Sequence, residues 1–230
     1  MVSAYDELPR TPANFVALSP LRYLERAAYI YPHQAAIIHG ARQITWQQTY
    51  QRCRQFAHQL RNLGIQKNDT VSVLLPNVPA MIEAHFAVPM AGAVLNTLNT
   101  RLDAKTIAFM LAHAESKVLL VDPEFRQLAA EALTLISQDI IVIDVLDKEY
   151  EGEQIALGQY EYESWLAEGD PEFEWLLPQD EWDAISLNYT SGTTGLPKGA
   201  VHTQAGLMAN VQASQAAHDF KSQDIVLSTL

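Results

Sequence analysis

The sequence contains few of the residues that mark several common classes of protein. It has one cysteine, Cys53, so no internal disulfide can form, and it lacks the cysteine and histidine spacing of zinc sites. Its 15 lysine and arginine residues form no cluster, which argues against nucleic acid or an anionic membrane as a partner. The apolar segment 79–98 is interrupted by Glu83, His85 and Pro89, which predicts that it is not a transmembrane segment. The amino terminus lacks the basic start and apolar block of a signal peptide, so we expect a cytoplasmic protein.

The negative charge is concentrated in one segment. Residues 144–183 hold about half of the 27 acidic residues and a single base, Lys148. These acids lack the register of a calcium-binding loop and mostly alternate with apolar or aromatic residues. We therefore predict an acidic surface excursion, solvated and with a short helix near 160–169, and we favour this over a metal site built from its carboxylates.

Short runs rich in valine, isoleucine and leucine alternate with helical patterns. Thr45 and Gln48 have the spacing of a capping box, Gly64 is placed to end the helix that follows, and Cys53 falls on its apolar face as a buried residue. Strands are predicted at 70–76, 117–122, 140–145 and 184–189, and further helices at about 79–92, 103–114 and 124–137. This alternation predicts an α/β fold, a layered and largely parallel sheet flanked by helices.

The segment NYTSGTTGLPKGAV, residues 188–201, combines hydroxyls, glycines and one lysine at the end of a predicted strand. Ligands of open α/β sheets bind at the carboxyl ends of strands. Glycines allow backbone N–H groups to turn inward around an anion, and hydroxyls add donors. The residues available to bind phosphate are Thr190, Ser191, Gly192, Thr193, Thr194, Gly195 and Lys198, and a helix is predicted over 200–217. A flexible linker is the alternative. The segment does not match the Walker A pattern GxxxxGK[ST], because Lys198 precedes Gly199 and Ala200 follows, so a P-loop NTPase is not expected.

The string YTSGTTGLPKG resembles the phosphate-loop signature of the adenylate-forming, AMP-dependent synthetase and ligase superfamily. Residues 44–102 and the strings HAESKVLLVD and DAISLNYTSGTTG are similar to the amino-terminal region of acyl-CoA synthetases, and the resemblance covers about 15–230. It implies that residues 1–230 are the first half of the large amino-terminal domain, with the acidic excursion at 144–183. It also implies that 184–217 form a strand, the phosphate loop and a helix, and that the carboxyl-terminal domain is absent.

The resemblance further implies an AMP-forming acid–thiol ligase. Such enzymes use ATP, with Mg²⁺, to activate a carboxylic (fatty) acid as an acyl-adenylate, and then form an acyl-CoA thioester with coenzyme A. The loop from Thr190 to Gly195 would hold the β and γ phosphates, and Lys198 would neutralise the departing pyrophosphate. No residue of this chain is assigned as catalytic.

The sequence departs from the family pattern after the loop. Gln204 stands where relatives often have a histidine, and His202 is either its substitute or a satisfied structural histidine. Family segments for adenine, ribose and the acyl group are missing, so we expect little or no ligase activity from this chain alone. The alternative functions are a non-catalytic nucleotide-binding or regulatory fragment, and one piece of a split ligase completed by a second chain.

Overall fold

The structure is a computed structural model that describes residue 5 and residues 7–150, 152–190, 196–221 and 224–228. Across these residues the helices are α1 (Leu21–Ile30), α2 (Trp46–Asn62), α3 (Pro79–Met90), α4 (Ala104–His113), α5 (Arg126–Thr134), α6 (Tyr162–Ala167) and α7 (Gln204–His218). The strands are β1 (Ala35–His39), β2 (Arg42–Thr45), β3 (Thr70–Leu74), β4 (Val94–Thr97), β5 (Ser116–Val121), β6 (Ile141–Asp144), β7 (Tyr160–Glu161), β8 (Ala184–Thr190) and β9 (Lys198–Thr203).

Local sequence signals set the bounds of α2. The Thr45 hydroxyl accepts a hydrogen bond from the Gln48 backbone, and the Gln48 side chain accepts one from the Thr45 backbone, which completes the predicted capping box. Gly64 has a positive φ of 84°, the conformation that glycine adopts readily after a helix. Cys53 is fully buried, as the helical pattern predicts.

Seven strands form one sheet in the order β7-β6-β5-β3-β4-β8-β9, and β1 and β2 form a separate antiparallel hairpin. Every pair of neighbours in the large sheet is parallel except β8 and β9. The predicted α/β class with a largely parallel sheet is therefore confirmed. The prediction of a helix from residue 200 is wrong at its start, because 198–203 fold back as β9 against β8 and α7 begins only at Gln204.

The core consists of two apolar clusters, one on each face of the sheet. Strand residues alternate between them: Val71 and Val73 belong to the first cluster, and Leu74 to the second. The first cluster is covered by α1, α2, α3 and α6, and the second by α4 and α5. The molecule is thus layered as predicted, with helices on both faces of the sheet.

Part of the acidic segment belongs to the core, so the prediction that 144–183 is a solvated excursion is wrong there. Residues 160–161 add strand β7 to the sheet, and α6 buries Tyr162, Trp165 and Leu166 in the first apolar cluster. These three apolar residues recur at helical spacing among the acids, which places them on one face of α6. Glu163, the one carboxylate between them, lies on another face and accepts hydrogen bonds from Arg52.

A buried ionic network joins α6 to α2 and α3. Arg52 donates to both oxygens of Glu83, at 2.5 and 3.1 Å, and to both oxygens of Glu163, at 2.8 Å each. Glu83 has no exposed surface and also accepts a hydrogen bond from the Tyr162 hydroxyl at 2.6 Å. Burial alone would lower the pKa of Arg52, but the charge and hydrogen bonds of Glu83 raise it above its ordinary value. Arg52 is therefore charged at any pH at which the protein is folded.

Candidate functional site

The β8–β9 hairpin carries the two predicted phosphate-binding residues that the structure describes. Thr190 is the last residue of β8, Lys198 is the first residue of β9, and the two are direct partners across the hairpin. The other predicted residues, Ser191, Gly192, Thr193, Thr194 and Gly195, lie outside the described residues. The structure therefore brings together the two flanks of the predicted loop.

The hairpin opens at the carboxyl edge of the sheet. Strand β8 runs parallel to β4, so Thr190 lies at the same edge as the carboxyl ends of β3, β4 and β5. The Thr97 hydroxyl, at the end of β4, donates to the side-chain oxygen of Asn188 at 3.1 Å and fixes the neighbouring strand. This edge is where open α/β sheets bind their ligands.

Lys198 presents an unneutralised charge at this edge. Its side chain is exposed, and none of the described carboxylates forms an ion pair with it. The partner residue Thr190 is exposed as well and faces the same side of the hairpin, because cross-strand partners share a face. A hydroxyl donor and an ammonium group are thus both available to an anion.

His202 and Gln204 differ sharply in their surroundings. His202 is exposed on β9, on the same face as Lys198, and the described part of the chain offers it no hydrogen-bond partner. The alternative of a satisfied structural histidine is therefore not supported. Gln204 is buried and accepts a hydrogen bond from the Ser19 hydroxyl at 2.8 Å, so it attaches the start of α7 to the chain before α1.

Sequence reasoning missed a contact near the loop end of the hairpin. The Tyr189 hydroxyl and Nδ1 of His113, the last residue of α4, lie 2.7 Å apart. Partial burial raises the pKa of Tyr189, so its hydroxyl keeps its proton and remains a donor. The 76 residues between the two side chains leave no local signal of this pair.

Two cavities lie away from the hairpin, and the described residues offer neither a metal site nor a membrane-spanning helix. A cavity of about 360 Å³ lies beside Lys67 and Gly92 at the amino edge of the sheet, and one of about 750 Å³ lies beside His39 and Asp147. Within the described ranges, no group of three metal-ligating side chains is present. None of the helices described is long and apolar enough to cross a membrane.

Comparison with known proteins decides the family. The profile of a family described as "AMP-binding enzyme" matches residues 24–230. The chain belongs to the AMP-binding enzyme family. The predicted resemblance to adenylate-forming enzymes is confirmed, and the hairpin of Thr190 and Lys198 lies within the matched range.

Several curated relatives of the chain are named as CoA ligases. It is 50% identical over 215 residues to acetate–CoA ligase CCL3 of Humulus lupulus, covering 87% of this chain and 37% of the relative. It is 47% identical to the peroxisomal acetate/butyrate–CoA ligase AAE7 of Arabidopsis thaliana, and the match covers 89% of this chain and 38% of the relative. The peroxisomal trans-cinnamate:CoA ligase of Petunia hybrida is 46% identical, with 87% and 38% covered. The chain thus spans less than two fifths of the length of these relatives.

Solved structures confirm the fold of the chain. The crystal structure of the anthranilate CoA ligase AuaEII in complex with anthranoyl-AMP matches with a TM-score of 0.75 and 23% identity, covering 85% of this chain and 36% of that one. A putative long-chain-fatty-acid CoA ligase from Rhodopseudomonas palustris matches with a TM-score of 0.75 and 22% identity, covering 90% and 50%. At these identities the likeness supports the shared fold alone.

Proposed function

We propose that the protein takes part in the ATP-dependent activation of a carboxylic acid to its CoA thioester. In the first step a carboxylate oxygen attacks the α-phosphorus of ATP, and the bond to the β,γ-pyrophosphate breaks to give an acyl-adenylate. In the second step the thiolate sulfur of coenzyme A attacks the acyl carbon, and AMP leaves. The observation that carries this proposal is the exposed Lys198, which forms no ion pair with the described carboxylates and lies opposite Thr190 at the carboxyl edge of the sheet.

The proposed role of the hairpin is electrostatic. Negative charge moves onto the pyrophosphate as the α-phosphorus is attacked, and a fixed ammonium group beside it lowers the barrier. Lys198 would supply that charge, and the hydroxyl and backbone donors of Thr190 and the loop after it would hold the β and γ phosphates. Mg²⁺ bound with the nucleotide supplies further positive charge, since this ion is commonly held by substrate phosphates and one or two carboxylates.

The names of the relatives suggest the class of acid. The relatives are named for acetate, butyrate, 2-methylpropanoate, trans-cinnamate and benzoate, all of them small carboxylic acids. We infer a small aliphatic or aromatic acid as the substrate, with a short-chain acid favoured by the acetate–CoA ligase that is 50% identical. We also propose that residues 1–230 form the first half of the large domain of this family. A cytoplasmic location stays a prediction, since several relatives are named as peroxisomal.

The experiment measures binding of MgATP and magnesium pyrophosphate to the 230-residue chain by isothermal titration calorimetry. Lys198→Met should weaken binding at least tenfold, which corresponds to about 1.4 kcal/mol. Lys117→Met is the matched control, because Lys117 is also exposed but lies at the amino end of β5, the opposite edge of the sheet. Equal affinities of the wild type and Lys198→Met would show that the hairpin does not bind phosphate.

A second measurement concerns turnover. Carboxylate-dependent exchange of labelled pyrophosphate into ATP should stay at background with this chain alone, because it spans 37% of the length of a related ligase. Robust exchange would contradict the prediction that the sites for adenine, ribose and the acyl group lie outside these residues.

A further inference from the structure

A contact between α4 and the β8–β9 hairpin lies directly below the proposed phosphate site. We propose that His113 and Tyr189, which we call the His113–Tyr189 clasp, position the hairpin so that Thr190 and Lys198 face the bound polyphosphate. His113 is a positioning residue in this account, since it acts through Tyr189. The effect of the clasp on phosphate binding rests on the proposed function. Its effect on the rigidity of the hairpin does not.

The clasp fixes the orientation of the Tyr189 ring. Its hydroxyl lies 2.7 Å from Nδ1 of His113, and the two rings meet edge to face with centroids 5.8 Å apart. The His113 ring is itself stacked on Phe109, one turn earlier on α4, with centroids 5.4 Å apart. Three rings in contact restrict one another, because each is held by a preferred aromatic geometry as well as by the hydrogen bond.

The Tyr189 ring in turn contacts both strands of the hairpin. Tyr189 is the cross-strand partner of Gly199, and a Cβ atom on Gly199 would lie 3.5 and 3.7 Å from two atoms of the tyrosine ring. The ring therefore lies directly over the glycine. Tyr189 precedes Thr190 in the chain and Gly199 follows Lys198, so the ring rests one residue below each flank of the loop.

Near the loop, the other described contacts that hold the hairpin to the sheet are the pairing of β8 with β4 and the Thr97–Asn188 hydrogen bond. Strand β9 is exposed from Lys198 to His202, and in the described part of the chain it pairs only with β8. Tyr189 is the residue of β8 that packs against the second apolar cluster. Loosening the clasp should therefore free the loop end of the hairpin while the core of the sheet remains folded.

The first test measures amide hydrogen exchange in the ligand-free 230-residue chain. His113→Leu removes the hydrogen bond between His113 and Tyr189, and Tyr189→Phe removes it together with the 3.5 Å contact from the Tyr189 hydroxyl to the Met110 carbonyl. Exchange of the hairpin amides in 188–190 and 198–200 should therefore become about twofold to tenfold faster in each variant. His113→Asn places a polar atom near the position of Nδ1 and should restore slow exchange. Unchanged exchange in His113→Leu would overturn the proposal. Equal acceleration in β3 and β5 would also overturn it, because the effect would then be general loss of stability.

A matched control uses another histidine that joins two segments. His58 accepts a hydrogen bond from the Asp170 backbone at 3.2 Å and lies against the Phe173 ring, with centroids 5.5 Å apart. Its replacement, His58→Leu, should leave exchange of the β8–β9 hairpin at the wild-type rate. Acceleration of the hairpin in this control would show that the effect is not specific to the clasp.

The second test links the clasp to phosphate. Affinity for magnesium pyrophosphate should fall about twofold to tenfold in His113→Leu and in Tyr189→Phe, no further in the double variant, and should recover in His113→Asn. If the wild type binds pyrophosphate and His113→Leu binds it equally well, the positioning role is refuted. If the wild type does not bind it, the proposed function fails, and the exchange experiment still decides whether the clasp holds the hairpin.

Discussion

Replacement of Arg52 by methionine should destabilise the protein far more than loss of an ordinary surface charge. Arg52 Nε and Nη2 lie 2.5 and 3.1 Å from the two oxygens of Glu83, and the Glu83 side chain has no exposed surface. Without the guanidinium, the carboxylate stays buried with the Tyr162 hydroxyl as its remaining side-chain donor among the described residues. Loss of one partner of a buried ion pair lowers the free energy of unfolding by about 3–5 kcal/mol.

The assay is urea unfolding at pH 7, followed by far-ultraviolet circular dichroism and extrapolated to water. Since domains are typically stable by only about 5–15 kcal/mol, Arg52→Met should lower the unfolding midpoint severely. Arg22→Met is the control. Arg22 pairs with Glu25 at 2.7 Å on the surface, where the Arg22 side chain is 48% exposed and the Glu25 side chain 39%. Loss of such a surface pair should change the free energy of unfolding by about 0–1 kcal/mol.

A second substitution separates charge from packing. Glu83→Gln in the Arg52→Met background removes the uncompensated charge and keeps an oxygen that accepts from the Tyr162 hydroxyl, so it should recover a substantial part of the lost stability. No recovery would assign the loss to packing. A loss in Arg52→Met no larger than in Arg22→Met would refute the interpretation of the network as a buried, desolvated ion pair.

Three further predictions concern the acidic segment and the core it covers. Trp165→Ala should lower the free energy of unfolding by about 3–5 kcal/mol, whereas Trp182→Ala, at a tryptophan that is 77% exposed, should change it by about 0.5 kcal/mol or less. Similar losses of stability in the two variants would support the prediction that 144–183 is a solvated excursion. Burial and the nearby Glu83 raise the pKa of Cys53, so a thiol reagent should label it only at the rate of unfolding, and rapid labelling of native protein would contradict its burial. Burial raises the pKa of Glu163, but the hydrogen bonds and charge of Arg52 outweigh it and lower the pKa below its ordinary 4.5. The stability that Glu163 contributes is therefore complete above pH 4.5 and is lost as the pH falls through the lowered value, so the difference in thermal midpoint between wild type and Glu163→Gln should shrink on acidification.

Sequence reasoning succeeded where short-range interactions decide the structure. The capping box of Thr45 and Gln48 and the glycine at position 64 define α2 through contacts within a few residues. The run of β3 is recognisable because a strand buried on both faces is mostly apolar or β-branched, and the buried hydroxyl of Ser72 is satisfied by Ser116 and Asn96. The order of these elements was enough to predict a parallel α/β sheet.

The errors arose where contacts between residues far apart in the sequence determine the structure. Residues 198–203 form a strand because β8 offers them a partner, and pairing with a neighbour outweighs the helical pattern that the next residues follow. The short helix near 160–169 was predicted, but its burial was not, because its acids gave the segment a polar average although Tyr162 and Trp165 lie on one apolar face of α6. The clasp between His113 and Tyr189 joins positions too far apart for any local pattern to indicate it.

The topology also explains why a net charge of −12 is compatible with the proposed anion site. Strand β7, which carries Glu161, lies at one end of the sheet, and β9 lies at the other. Six strand spacings of about 4.8 Å therefore place this part of the acidic segment roughly 29 Å from Lys198. Asp183 lies at the amino end of β8, and seven residues at about 3.3 Å each separate it from Thr190 by roughly 23 Å. Both distances exceed the Debye length of about 10 Å at 0.1 M salt, so these carboxylates are screened from a polyphosphate bound at the hairpin. Lys198 lies at the hairpin itself, so its charge is directly available to a polyphosphate bound there, as the proposed function requires.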